Sequence, residues 1–257
     1  MQELNILRPF KDKIALISGG SRGIGYAIAE KFAKKGAHIV FTYLRSRSDA
    51  LQAEQQLSSY GIQVLPLRAN MGNVEQLSNI FETVKLKFGK LDFLIHNAAT
   101  GDLKPILDLK DEEWERTLQI NLKSLFICAK AAVPLMQGRH GKIVSISSHG
   151  SNRCLPNYAA VGLAKSGIEC LSRYLAVELA PKGINVNVVM AGTTVTESLK
   201  KIPRYEEMVH LAKTKTPVGR IGHPQDIANV VSFLCSEEAR WIVGQTIIAD
   251  GGYSLLV

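Results

Sequence analysis

Short apolar runs alternate with amphipathic stretches along this whole chain, and that alternation leaves few folds open. The runs cover residues 14–17, 38–43, 64–67, 91–96, 142–147, 184–190 and 246–249. Helical periodicity fills residues 24–35, 49–60, 74–88, 111–136, 158–180 and 224–234 between them. Gly36, Gly61 and Gly89 end the first three helices, and Pro181 with Gly183 stops the helix that begins at Tyr158. Short, continuously apolar strands separated by helices predict an α/β fold with a parallel sheet covered on both faces. The length of 257 residues suits one large domain better than two small ones. No repeat, linker or low-complexity segment divides it. One connection is long, residues 192–223, and it mixes charged, apolar and Pro residues without clear period. Long loops within a compact domain are usually functional. This one follows the C-terminal end of a strand, where such sheets bind ligands.

Composition excludes several classes. The chain is 46% hydrophobic, enough for a sizeable core, yet has no run of eighteen apolar residues. No membrane-spanning helix is therefore expected. Met1-Gln2-Glu3-Leu4-Asn5 lacks a basic stretch leading into an apolar one, so no secretory leader is expected and a cytoplasmic location is. Cys128, Cys154, Cys170 and Cys235 are scattered, which reads as small buried or half-buried residues of a reducing compartment. The histidines form no pair with metal spacing, so no metal is expected. The net charge of +8 fits a soluble basic surface, or an acidic partner such as NADP phosphates or an acyl carrier protein. Nucleic acid is not expected, because no dense Lys/Arg block is interleaved with aromatics.

Between the first strand and its helix lies Ser18-Gly19-Gly20-Ser21-Arg22-Gly23-Ile24-Gly25. Gly19, Gly23 and Gly25 permit a tight turn and let backbone approach a pyrophosphate. The following helix offers free N–H groups and a positive dipole end. Strand and helix on either side are the context that makes such a motif specific. NAD enzymes usually place an acid at the end of strand two, for the adenosine ribose hydroxyls. Here that stretch is Phe41-Thr42-Tyr43-Leu44-Arg45-Ser46-Arg47, without an acid. Arg22 and Arg45 suit a 2′-phosphate, which a guanidinium fork matches. The expected cofactor is NADPH.

Tyr158 and Lys165 are seven residues apart. At about 100° per residue, seven helical steps turn about 700°, so the two share a face two turns apart. A phenol and an ammonium on one face can act on one bound substrate and cofactor. Read alone, such a pair is more often structural than catalytic, since Val161, Ile168, Leu171, Leu175 and Leu179 form an apolar stripe there.

At this point the chain resembles the short-chain dehydrogenase/reductase family over nearly its whole length. The resemblance rests on the glycine turn, on Asn70-Met71 where the family commonly has Asp-Val beside the adenine, and on His96-Asn97-Ala98-Ala99 after strand four. It rests also on Asn121 in the long helix and on Asp250-Gly251-Gly252 near the C-terminus. It implies a single Rossmann-type doubly wound domain with a mainly parallel seven-stranded sheet. By that resemblance, cofactor contacts fall on Gly19, Ser21, Arg22, Gly23, Ile24, Gly25, Arg45, Ser46, Asn70, Met71, Asn97, Lys165, Gly192 and Thr196. The catalytic set is Tyr158, Lys165, Ser148 and Asn121.

Ordinary members place tyrosine four residues before the lysine, and here that position is Val161. Their Pro-Gly after strand six is Ala191-Gly192. Both departures resemble the enoyl-acyl-carrier-protein reductase branch. That branch often has a second tyrosine ten residues before the first; this chain has Ser148 there. With a glycine turn of the ordinary form, the mixture is similar to the third, FabL-type, enoyl reductases. In a 2-enoyl thioester, hydride lands on C3 while charge appears on the distant thioester oxygen. Moving a tyrosine three residues along a helix shifts it roughly 4.5 Å, about the offset needed to follow that charge. The expected reaction is NADPH-dependent reduction of the C2–C3 double bond of a trans-2-enoyl thioester on acyl carrier protein. A 3-oxoacyl thioester or ketone reductase of the same family is the alternative, and a non-catalytic NADP-binding sensor is a third reading. The resemblance also implies a homotetramer, and residues 192–223 are expected to form a mobile lid with Lys200, Lys201, Arg204, Lys213 and Lys215 at its rim.

Overall fold

The first apolar run forms β1 (Ile14–Ile17), and its side chains divide between two layers. Ala15 and Ile17 pack with Ile28, Phe32, Phe41, Ile95 and Val231 on one face. Ile14 and Leu16 pack with Val40, Leu94, Leu125, Ile143 and Ile168 on the other. A strand with both alternating faces buried reads as continuously apolar, which explains the sequence pattern. The computed structural model describes residues 8–200 and 205–256.

In chain order β1 is followed by α1 (Gly23–Lys34), β2 (His38–Tyr43), α2 (Arg47–Ser58), β3 (Val64–Arg68) and α3 (Val74–Phe88). Then come β4 (Phe93–His96), α4 (Asp111–Leu118), α5 (Ser124–Met136), β5 (Lys142–Ser148), α6 (Ala159–Leu179) and β6 (Asn185–Ala191). Last are α7 (Glu197–Lys200), α8 (Tyr205–Lys215), α9 (Pro224–Leu234) and β7 (Thr246–Ala249). The strand order is β3-β2-β1-β4-β5-β6-β7. Each described pairing is parallel, so the expected "mainly" parallel sheet is wholly so. The chain leaves β1 toward β2 on one side and returns to β4 on the other. That reversal opens a crevice at the C-terminal ends of β1 and β4.

Three elements depart from the sequence expectation. The predicted helix over 111–136 is interrupted by a π-helical turn, Gln119–Lys123, which carries Asn121. Such turns insert one residue into a helix and are frequent at functional sites. The run Asp111–Met136 is long and apolar enough to cross a membrane by length and composition alone. Here Leu125, Cys128, Ala129, Ala132 and Met136 lie in a core layer against the sheet. Second, α6 begins at Ala159, and Tyr158 is its N-cap rather than its first helical residue. Asn157 before it has φ +62°, a left-handed turn that sends the chain into the helix. Third, the segment 192–223 contains α7 and α8 instead of irregular loop, and a bridge between Thr194 and Gly222 closes its base. The side chain of Lys200, and Lys201 and Arg204 entirely, lie outside the described residues.

Cys128 and Cys235 are buried as expected, but Cys154 and Cys170 are exposed. Cys154 stands on the exposed loop that leads to Tyr158, and Cys170 on the outward face of α6, so neither serves the core.

Candidate active site

The crevice between β1 and β4 is built from close backbone contact. A Cβ on Gly25 would lie 2.1 Å from the Gly19 carbonyl oxygen and 2.7 Å from Asn97 Nδ2. No side chain fits there, so the start of α1 is drawn against the end of β1. Asn97 completes the cradle from β4: Nδ2 donates to the carbonyls of Ser18 (3.0 Å) and Gly19 (3.2 Å). Ser18 Oγ in return accepts from the backbone N–H groups of Asn97 (2.9 Å) and Ala98 (3.0 Å). Thr42 Oγ1 accepts from Gly19 N–H at 3.1 Å and ties in the end of β2. Gly19 and Gly23 both adopt left-handed φ, +69° and +58°. Ser21, Arg22 and Ile24 follow this turn, with Arg22 as the extended N-cap of α1. Among the described residues no side chain caps the N-terminus of α1. That arrangement fits a dinucleotide pyrophosphate.

The other expected cofactor residues fall around this cradle with unequal freedom. Arg45 is exposed at the end of β2. Ser46 beside it caps α2, its hydroxyl accepting from Asp49 N–H at 3.2 Å. Asn70 shapes the turn after β3, accepting from Gly72 N–H at 2.9 Å. Met71 is buried, its sulfur accepting from Thr42 Oγ1 at 3.7 Å. Gly192 N–H donates to the Ala249 carbonyl at 3.0 Å, and a Cβ there would meet Asp250 Cα at 2.7 Å. Thr196 brings the 192–223 segment over the glycine turn: its Cγ2 is 3.4 Å from where a Gly23 Cβ would stand. Its hydroxyl meanwhile accepts from Leu199 N–H at 3.1 Å, inside α7.

The chemical groups converge at the C-terminal end of β5. The Tyr158 hydroxyl lies 3.2 Å from Ser148 Oγ. Burial pushes the phenol above its ordinary pKa, and the Ser148 hydrogen bond works against that rise. Lys165, on α6, is 5% exposed and donates to the Ile146 carbonyl at 2.7 Å. Burial lowers its ammonium to about 8, with Glu169 one turn later favouring the charged form. Glu169 is itself held by Ser147 Oγ, which donates to it. Val161 occupies the position where ordinary family members have tyrosine. It is buried, and its Cγ2 lies 2.1 Å from where a Gly101 Cβ would stand. That space is thus sealed by an aliphatic side chain resting on a glycine.

Asn121 is fully buried and spends its amide on structure. Nδ2 donates to the carbonyls of Thr100 (2.6 Å) and Thr117 (2.7 Å), and Oδ1 accepts from Thr100 N–H (3.2 Å). It clamps the loop after β4 to the π turn. Both N–H groups of Asn121, expected in the catalytic set, are committed to this clamp, so its side chain holds the scaffold.

His96 was noticed only as part of a motif, yet it is a defined element of the site. It is 2% exposed at the end of β4, and burial with the nearby Lys165 pushes it down to about 3, so the ring is neutral. Ser124 Oγ donates to the Ile120 carbonyl at 2.6 Å. Its oxygen must therefore accept at 2.7 Å from His96 Nε2. The proton sits on Nε2, and Nδ1 presents a buried lone pair without a partner among the described residues.

The family description "Enoyl-(Acyl carrier protein) reductase" matches residues 19–254. The chain is 37% identical over 248 residues to the 3-oxoacyl-[acyl-carrier-protein] reductase FabG of Escherichia coli (strain K12), covering 95% of this chain and 98% of that one. It is 35% identical over 246 residues to the 1-cyclohexenylcarbonyl-CoA reductase of Streptomyces collinus, covering 95% and 88%. The crystal structure of L-sorbose reductase from Gluconobacter frateurii, complexed with NADPH and L-sorbose, matches at a TM-score of 0.90 and 30% identity, over 98% of this chain and 100% of that one. Glycine cradle, parallel sheet and Ser-Tyr-Lys cluster have the same meaning as these matches: the chain is an oxidoreductase of the short-chain dehydrogenase/reductase family.

Proposed function

We propose that this protein reduces the C2–C3 double bond of a trans-2-enoyl thioester with NADPH, on an acyl carrier protein. The observation that carries the reading is the pairing of Tyr158 with Ser148 at 3.2 Å while Val161 seals the ordinary tyrosine position. The Gly19–Gly25 cradle would hold NADPH, with Arg22 and Arg45 suited to its 2′-phosphate, and the cofactor would supply the hydride. The NADPH complex of a 30% identical relative and the missing acid after β2 support that choice. Tyr158 donates a hydrogen bond to the thioester oxygen as enolate charge develops there. Ser148 orients the phenol, and Tyr158 or a water delivers the proton to C2. Lys165 holds a positive charge beside the site and would bind the nicotinamide ribose hydroxyls.

A second reading has its own support. The FabG relative is named for 3-oxoacyl reduction, and that name favours a β-keto thioester. The Streptomyces relative is named for a substrate with a ring double bond next to a thioester carbonyl, which favours the enoyl reading. NADPH oxidation measured with crotonyl thioester and with acetoacetyl thioester decides between them. Faster turnover of crotonyl thioester is expected, and faster turnover of acetoacetyl thioester makes the protein a ketoreductase.

We further propose a homotetramer. Phe126 on α5 and Leu163, Tyr174 and Val177 on α6 are exposed apolar side chains on helices that also line the core. Closed symmetry is the common way identical chains bury such surface. Light scattering at micromolar concentration is expected to give four times the chain mass, and a monomer mass refutes it.

A further inference from the structure

Tyr158 enters the site from a helix N-cap, a position with less intrinsic rigidity than a helical turn, and something else must fix its ring. The turn after Ser148, residues His149–Ser151, lies directly beneath it. A Cβ on Gly150 would stand 2.4 Å from Tyr158 Cδ1 and 2.5 Å from Cε1, closer than real carbon contacts allow. On the other side of the same peptide, a Cβ on Gly162 would stand 2.6 Å from the Gly150 carbonyl oxygen. Gly150 is thus pressed between the phenol ring and the first turn of α6. Its φ is not left-handed, so the backbone does not itself require glycine there. What excludes a side chain at 150 is the ring.

The turn cannot easily yield to such a side chain. His149 Nε2 bonds Asp250 Oδ2 at 3.0 Å, and the His149 ring stacks on Tyr253 at 5.4 Å between centroids. Arg153 donates to the Ser254 carbonyl. With the turn tied to the C-terminal segment at both ends, a methyl group on residue 150 displaces the ring and not the turn. The ring's displacement moves its hydroxyl relative to Ser148.

We propose that Gly150 is a positioning residue: its bare backbone is the bed that sets the Tyr158 ring at the height where the hydroxyl meets Ser148 and the substrate oxygen. This rests on the reading that Tyr158 acts on the substrate. Gly162 serves the same bed from below, by letting α6 approach the turn.

The test is a double-mutant cycle of Gly150→Ala and Tyr158→Phe, with turnover measured on both crotonyl and acetoacetyl thioester. NADPH affinity by fluorescence titration and Tm are measured for every variant. A ring displaced by about 1 Å costs up to about a hundredfold in rate. G150A alone is expected to lower kcat at least about tenfold, on the scale of that displacement, with NADPH affinity and Tm close to the parent. In the Tyr158→Phe background, which keeps the ring and lacks the hydroxyl, G150A should add less than about twofold, because coupled residues are non-additive. Equal losses in both backgrounds overturn the proposal, as does a G150A protein with parental kcat. A G150A protein that loses NADPH binding or folding also overturns it, since the glycine would then serve the turn. A harmless Tyr158→Phe removes the reading beneath the proposal, whereas a damaging Tyr158→Phe with a harmless G150A removes the proposal alone. Preference for acetoacetyl thioester sinks the enoyl assignment and leaves the cycle readable on that substrate.

Discussion

Two regions of this molecule use glycine for close approach, and they do so toward different ends. At the cofactor cradle, Gly25 lets one backbone meet another, with the Gly19 carbonyl 2.1 Å from its absent Cβ. At the β5–α6 turn, Gly150 lets a backbone meet a ring, with Tyr158 carbons 2.4 and 2.5 Å from its absent Cβ. The first contact shapes a surface for a ligand common to a whole family. The second shapes the placement of one phenol that this chain has moved by three positions. The glycine turn is local in sequence, from the end of β1 into α1, and is braced by Asn97 from the end of β4. The Tyr158 bed joins residues from a turn, a helix start and the C-terminal segment. A binding platform can thus remain constant while the reacting group is re-seated beside it.

The two regions separate most widely under Gly25→Ala. A methyl group there collides with immovable backbone, so loss of saturable NADPH binding and destabilisation by about 3 kcal/mol are expected, by titration and urea melts. A Gly25→Ala protein that binds NADPH normally makes the cradle far softer than its contacts imply. Tyr158→Phe strikes only the second region. It should lower kcat by about a hundredfold while NADPH binding persists, as for loss of one oxyanion donor. Activity within a few-fold of the parent strips Tyr158 of its role.

Arg45→Glu returns to the first region with a smaller effect. A carboxylate repels a 2′-phosphate yet can accept from ribose hydroxyls. NADPH affinity should fall by about tenfold or more, the scale of one charge-assisted hydrogen bond, while NADH affinity changes little. Equal changes for the two cofactors show that Arg45 does not read the phosphate. The smallest effect is on pH dependence. Lys165 titrates at about 8, so its working positive charge is present below that pH and is lost as pH rises through it. The alkaline limb of kcat/KM should follow. Glu169→Gln removes a carboxylate that favours the charged form and should move that limb to lower pH. A limb that stays in place means that the lysine charge is set elsewhere.

The sheet was legible because both of its faces are buried, so each strand announces itself as an apolar run of a few residues. The glycine turn was legible because Gly19, Gly23 and Gly25 lie close together in sequence, whereas the Asn97 bonds that brace it cross the chain. Less was legible wherever the decisive contact crosses the chain. The π turn at Gln119–Lys123 keeps ordinary helical periodicity on either side, so nothing in the pattern marks it. Ser148 and Tyr158 were each visible, but their 3.2 Å pairing depends on a turn whose shape no spacing encodes. Gly150 and Gly101 carry no motif at all. Each is explained only by a partner, Tyr158 in one case and Val161 in the other. His96 was visible as a residue, while its tautomer follows from a hydroxyl on another element and from the carbonyl that hydroxyl serves.

The bonds from His149 to Asp250 and from Arg153 to the Ser254 carbonyl each span 101 residues. Synthesis runs from the N-terminus, and a domain generally folds as a unit. The ribosome therefore releases the cradle, the lysine and the phenol long before it releases the residues that hold the phenol's bed. Until those residues arrive, His149 and Arg153 lack the partners that tie down the turn beneath Tyr158. Removing residues 250–257 should therefore lower turnover more than NADPH affinity, measurable by NADPH titration beside steady-state rates.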